Sequence, residues 1–156
     1  MSGEWGSVDG TIVVLNGPNL NLLGEREPEI YGRDTLADVA ELCRQAVAGT
    51  GITIDFRQTN AEYEMVAWLQ EARRGRAGIV INPAAFTYAA YSVLDAIKLA
   101  DCPVMEVHIS NIHRREAEWR SKSIHTQVCT GIISGLGIDG YVAAVRHIVW
   151  LRGRGK

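Results

Sequence analysis

The chain has 156 residues, 47% of them hydrophobic and 22% charged, with a formal net charge of −2. That is the composition of a globular protein, long enough for one domain that buries about 68–70% of its unfolded surface. A near-neutral charge with no basic stripe argues against nucleic acid as a partner, and no apolar run reaches the roughly 18–20 residues of a membrane span.

Residues 1–10 read as a flexible lead with no apolar stretch of the secretory kind. Residues 11–15, Thr-Ile-Val-Val-Leu, read as a buried strand. Residues 16–33 then form a connection far longer than the usual strand-to-helix turn of about 2–6 residues. It carries Leu20, Leu22, Leu23 and Ile30, which can pack, so it reads as a lid rather than as disorder. Asp34 is expected to cap the next helix, whose apolar positions are Leu36, Val39, Ala40, Cys43, Ala46 and Val47, with Gly49 or Gly51 ending it. A strand at residues 52–57 and a helix at 62–73 follow, then a wholly apolar strand at 78–82 that Pro83 terminates.

The pattern continues with a helix at 89–100 and a strand at 103–108, its proline in the allowed first position. A second long polar connection spans residues 109–127. The last elements are a strand at 128–134, a helix at 140–151 and a basic tail at 152–156. Strands alternating with helices predict a doubly wound α/β domain, a three-layer parallel sheet. For five strands the default is the flavodoxin-like order 2-1-3-4-5, in which ligands bind beyond the carboxyl ends of the strands. The odd number of cysteines (Cys43, Cys102, Cys129) has no metal-like spacing and sits in apolar settings, which suits free buried thiols in a reducing cytoplasm.

That ligand rule gathers the polar residues. Strand one ends in Asn16 and Asn19, strand three in Asn82, and strand four in Glu106 and His108, followed by Ser110 and Asn111. A histidine at a strand end is commonly structural. Glu106, two residues earlier, shares its face and can orient or charge it, which favours a general acid or base. Tyr31 is a poor base at its ordinary pKa of about 10. Arg26 could lower that value, yet the segment could equally be a solvated turn. Gly135-Leu136-Gly137-Ile138-Asp139-Gly140 matches the dinucleotide pattern, but no strand and no acidic residue about 20 positions on follow it, so it reads as a tight turn. No phosphate loop, zinc spacing or nucleophile elbow is present, and neither a metal nor a cofactor is expected.

These residues resemble the type II 3-dehydroquinate dehydratases. The likeness runs over nearly the whole chain after Gly10. It is densest in Leu15-Asn16-Gly17-Pro18-Asn19-Leu20-Asn21-Leu22-Leu23-Gly24 with Arg26-Glu27-Pro28-Glu29-Ile30-Tyr31-Gly32, in Ile81-Asn82-Pro83-Ala84-Ala85, and in Glu106-Val107-His108-Ile109-Ser110-Asn111-Ile112-His113 with Arg115-Glu116. The resemblance implies a flavodoxin-like subunit in trimers assembled into a dodecamer. It also implies a metal-free trans elimination of water from 3-dehydroquinate, in aromatic biosynthesis or quinate breakdown. By position, Tyr31 as a tyrosinate held by Arg26 would take the C2 proton, and Asn19 would hold the water that stabilises the enolate. His108, oriented by Glu106, would protonate the leaving hydroxyl. Asn82, Ile109, Ser110 and Arg120 would bind substrate, Arg115 would assist the lid, and Asp95 would reach a neighbour's site. Three departures stand out: Tyr88 where the family has a histidine, Asn60-Ala61-Glu62-Tyr63, and one extra residue between Glu116 and Ser123. They leave open a modified ring such as the 5-amino analogue, or a non-catalytic flavodoxin-like module.

Overall fold

The computed structural model describes residues 10–25 and 27–154, with the backbone alone at Ile30 and Tyr31. The strands are β1 (Thr11–Asn16), β2 (Thr53–Gln58), β3 (Gly78–Asn82), β4 (Val104–His108) and β5 (Gly131–Ser134). The helices are α1 (Pro28–Tyr31), α2 (Leu36–Ala46), α3 (Glu62–Ala72), α4 (Tyr91–Ile97) and α5 (Asp139–Arg154). All strand pairings are parallel, in the order β2-β1-β3-β4-β5, the flavodoxin-like arrangement expected from the sequence.

Alternation along β1 shows how the three layers form. Ile12 and Val14 join a core with Val39 and Cys43 of α2 and with Val145 and Ile148 of α5. Val13 and Leu15 face the other way, onto Met65 and Leu69 of α3 and Val93 and Ile97 of α4. Strands sandwiched in this manner must be apolar on both faces, and every residue of β3 is buried. Gly140 sets how near α5 comes: a Cβ there would lie 3.3 Å from Ile133 and 3.4 Å from Val107. The glycine-rich turn before α5 therefore serves close helix–sheet packing, as read from the sequence.

Several boundaries differ from expectation. Thr35, not Asp34, caps α2, because its hydroxyl accepts from the Asp38 N–H while the Asp38 carboxylate accepts from the Thr35 N–H. That reciprocal box satisfies two donors, which Asp34 has no partner to do. Helix α4 is shorter than the apolar run, its end tightened by Leu99 N–H to Ala96 and Ala100 N–H to Ile97 bonds. Strand β5 starts three residues late, since Thr126–Val128 winds into a 3-10 turn. At the other end, α5 runs through Arg152 to Arg154, taking in most of the expected tail. The flexible lead falls outside the described residues apart from Gly10. Among the described residues no helix is long and apolar enough to cross a membrane.

Candidate active site

Parallel pairing brings the carboxyl ends of β1, β3 and β4 together. Asn16 lies opposite Asn82, and Ile81 opposite Glu106. Past these ends opens a cavity of about 340 Å³, lined by Asn19, Asn82, His108, Ile109, Ser110 and Arg115, with Tyr88, Trp119 and Arg120 on its outer side.

The floor is built from buried polar side chains that all have partners. Glu106 is 0% exposed and His108 4%. One Glu106 oxygen, Oε2, lies 2.5 Å from His108 Nε2, and the other, Oε1, accepts from the Thr126 hydroxyl at 2.7 Å. A carboxylate can only accept, so Nε2 carries the proton. Burial pushes the Glu106 pKa up, but hydrogen bonds from His108, Ser123 and Thr126 and the attraction of His108 outweigh it. The net effect holds the carboxyl below its ordinary value and keeps it ionised.

Asn82 is fastened as tightly. Its Nδ2 donates to the Tyr141 hydroxyl at 2.8 Å, that hydroxyl donates to Asn16 Oδ1 at 2.7 Å, and Asn16 Nδ2 donates to the Arg57 carbonyl at 3.0 Å. Asn82 Oδ1 accepts from the Ala84 N–H at 3.2 Å. The chain thus fixes which end of the Asn82 amide points where. Ala84 is held at φ 50, a region alanine seldom adopts, so the backbone beneath the cavity stores local strain. The β1 and β3 ends touch directly here. Gly17 N–H donates to the Asn82 carbonyl at 2.9 Å, and a Cβ on Gly17 would come within 2.2 Å of the Pro83 oxygen. No larger residue fits at Gly17.

The lid is better organised than the sequence suggests. It contains a 3-10 turn at Leu20–Leu22 and α1, with Pro28 in the first turn. Asn19 adopts φ 68, and its N–H donates to Asn60 Oδ1 at 3.0 Å, which also accepts from Gln58 Nε2 at 3.0 Å. Tyr31 closes α1; its side chain, and all of Arg26, lie outside the described residues.

The outer wall is aromatic and cationic. Tyr88 meets Trp119 edge-on, with ring centroids 5.4 Å apart. The Arg120 guanidinium lies 5.4 Å from the Trp119 ring and 6.0 Å from the Tyr88 ring. Arg120 Nε is buried without a hydrogen-bond partner among the described residues. Arg115 donates from Nη2 to the Ser110 hydroxyl at 3.0 Å.

The structure therefore gathers Asn19, Asn82, Tyr88, His108, Ile109, Ser110, Arg115 and Arg120 around one cavity, with Glu106 directly behind His108. Asp95 is not among them; it is exposed on α4. The family model described as Dehydroquinase class II matches residues 10–149. The chain belongs to the class II dehydroquinase family. Among curated members of that family, the 3-dehydroquinate dehydratase of Methylobacterium radiotolerans is 52% identical over 145 residues, covering 93% of this chain and 97% of that one. The Streptomyces coelicolor 3-dehydroquinate dehydratase is 54% identical over 146 residues, covering 93% and 92%. The crystal structure of the type II dehydroquinase from Propionibacterium acnes superposes with a TM-score of 0.82 at 40% identity, covering 94% of this chain and 98% of that one.

Sequence reasoning missed several side chains that organise this dehydroquinase pocket: Gln58 and Asn60 under the lid, Thr126 behind Glu106, Tyr141 behind Asn82, and Trp119 against Tyr88. Tyr141 sits on the apolar face of α5, where its ring is read as core and its hydroxyl is overlooked. Among the described residues, no group of three or more His, Cys, Asp or Glu side chains is placed to hold a metal ion. Burial pushes the thiols of Cys43 and Cys102 up to about 11 and that of Cys129 up to about 12, so all three stay protonated near neutral pH.

Proposed function

We propose that this chain catalyses the elimination of water from 3-dehydroquinate to give 3-dehydroshikimate. The observation that carries the reading is the buried Glu106–His108 pair at the cavity floor of a chain from the class II dehydroquinase family. The chemistry asks for a base at the carbon beside the ketone, a stabiliser for the enolate and an acid for the departing hydroxyl. His108, supported by an ionised Glu106, suits the acid: the carboxylate stabilises the imidazolium that must deliver the proton. Tyr31 as base, with Arg26 favouring its tyrosinate, rests on the likeness of the Arg26–Gly32 motif to the family. Asn19 would place the water that receives enolate charge. Asn82, with its amide orientation set by Tyr141, would bind the hydroxyl end, and Ile109 and Ser110 the carboxylate. Arg115 would steady Ser110 and the lid, while Arg120 and Tyr88 would meet the ring hydroxyls.

Relatives about half identical carry the name 3-dehydroquinate dehydratase, which favours the unmodified ring over an amino analogue and a catalyst over a binding module. Asp95, exposed on α4 away from its own cavity, supports a homo-oligomer in which it reaches a neighbour's site, with trimers assembled into a dodecamer. Ultraviolet detection of the conjugated enone formed from 3-dehydroquinate tests the activity; no absorbance change from purified enzyme overturns it. Light scattering on the eluting protein tests the assembly, and a monomer would refute it.

A further inference from the structure

We propose that Thr126 is a positioning residue for the elimination, its hydroxyl holding Glu106 and, through Glu106, the imidazole of His108. The proposal rests on the reading of Glu106 and His108 as the acid pair. Its basis is the set of contacts made by one short strap, residues 123–126. Thr126 donates to Glu106 Oε1 at 2.7 Å while His108 occupies Oε2 at 2.5 Å, so the two oxygens of a fully buried carboxylate are held from opposite directions. Ser123, three residues before Thr126, accepts from the His125 N–H at 3.1 Å. A buried carboxylate is stable only when such donors replace water, and a donated hydroxyl favours the ionised form alone.

The strap is itself anchored to the opposite wall. Ile124 N–H donates to the Thr87 carbonyl at 3.1 Å, and His125 Nε2 donates to the Phe86 carbonyl at 2.7 Å. Phe86 and Thr87 immediately precede Tyr88, so the strap ties the wall that bears Tyr88 to the carboxylate behind His108. The charged and titratable groups around Glu106 are His108, His125 and Cys129. Burial keeps His125 neutral, and burial together with the charge of Glu106 keeps the Cys129 thiol protonated.

The experiment compares wild type, Thr126→Val, Thr126→Ala and Thr126→Ser in two readouts. The first is kcat and KM for 3-dehydroquinate across pH. The second is the NMR titration of the His108 ring in substrate-free protein. Loss of one hydrogen bond to a charged group predicts that Val and Ala lower kcat about tenfold and move the acid limb up by about one pH unit. KM changes less than about twofold, since Thr126 does not line the cavity. The low-pH titration seen by NMR moves up with the acid limb, and Ser restores both. Superimposable profiles with an unmoved His108 titration overturn the proposal, as does a Ser variant no better than Val. A wild type inactive on 3-dehydroquinate defeats the functional reading instead, while the NMR titration still decides the role of Thr126.

Discussion

The floor and the outer wall of the cavity are built on opposite principles. On the floor, Asn82, Glu106 and His108 are buried and bound to protein partners at 2.5–3.2 Å. On the wall, Trp119 is 66% exposed, and Arg120 is placed by two aromatic rings, its Nε unbonded among the described residues. A buried hydrogen-bonded group is held to one geometry, because any other strands a partner. A guanidinium lying against rings can slide along them at little cost. The floor is suited to chemistry and the wall to recognition.

Substitutions can separate the two regions. His108→Ala is expected to lower kcat by about 10²–10⁴-fold, the usual contribution of a general acid. Removing the imidazole also leaves the buried Glu106 carboxylate short of a partner, so stability should fall by about 1–3 kcal/mol or more, and turnover kinetics alongside a melting curve check both. Arg120→Ala should raise KM about 10–100-fold, the worth of a hydrogen bond from a charged donor, with kcat changed far less. A kcat loss matching that of His108→Ala would erase the distinction between wall and floor.

Tyr141→Phe probes the rigidity of the floor. It leaves Asn16 and Asn82 each short of a buried partner, at a cost of about 1–3 kcal/mol in stability measured by urea unfolding. Tyr88→Phe should be nearly silent by the same measurement, since its ring makes the wall contacts.

The smallest expected effect concerns pH. Burial holds the His125 pKa below the ordinary histidine value, with the Phe86 carbonyl and Glu106 opposing it. As pH falls through about 6.5 the unfolded chain takes up a proton that the folded chain refuses. Stability therefore declines in that window. Glu106, held below the usual carboxylate value, adds a second loss at lower pH as it is finally protonated. Urea midpoints at pH 7.5 and 5.5 should differ in wild type and differ less in His125→Leu.

Much of this was visible in the residues. The strands were readable because a sheet covered on both faces demands apolar runs, and β1 and β3 have them unbroken. Asn82, Glu106 and His108 were readable because they lie toward the carboxyl ends of β3 and β4, where such sheets bind ligands. What stayed hidden depends on partners distant in sequence. The Thr126 hydroxyl finds Glu106 across 20 positions, and His125 finds Phe86 across 39. In the sequence both belong to an ordinary polar connection. The cap of α2 was misplaced for a local reason: Asp34 and Thr35 are both good caps, and only the reciprocal bond with Asp38 decides between them.

The bond between Tyr141 and Asn16 joins residues 125 positions apart. Contacts of that range form late, after loop closure over most of the chain. Asn82 acquires its orientation only once α5 has docked and delivered the Tyr141 hydroxyl. During synthesis the ribosome releases β1 and β3 well before α5, so the strand ends meet while the pocket floor is still unset. The orientation of Asn82 thus depends on the last helix of the chain, far in sequence from the strand it sets.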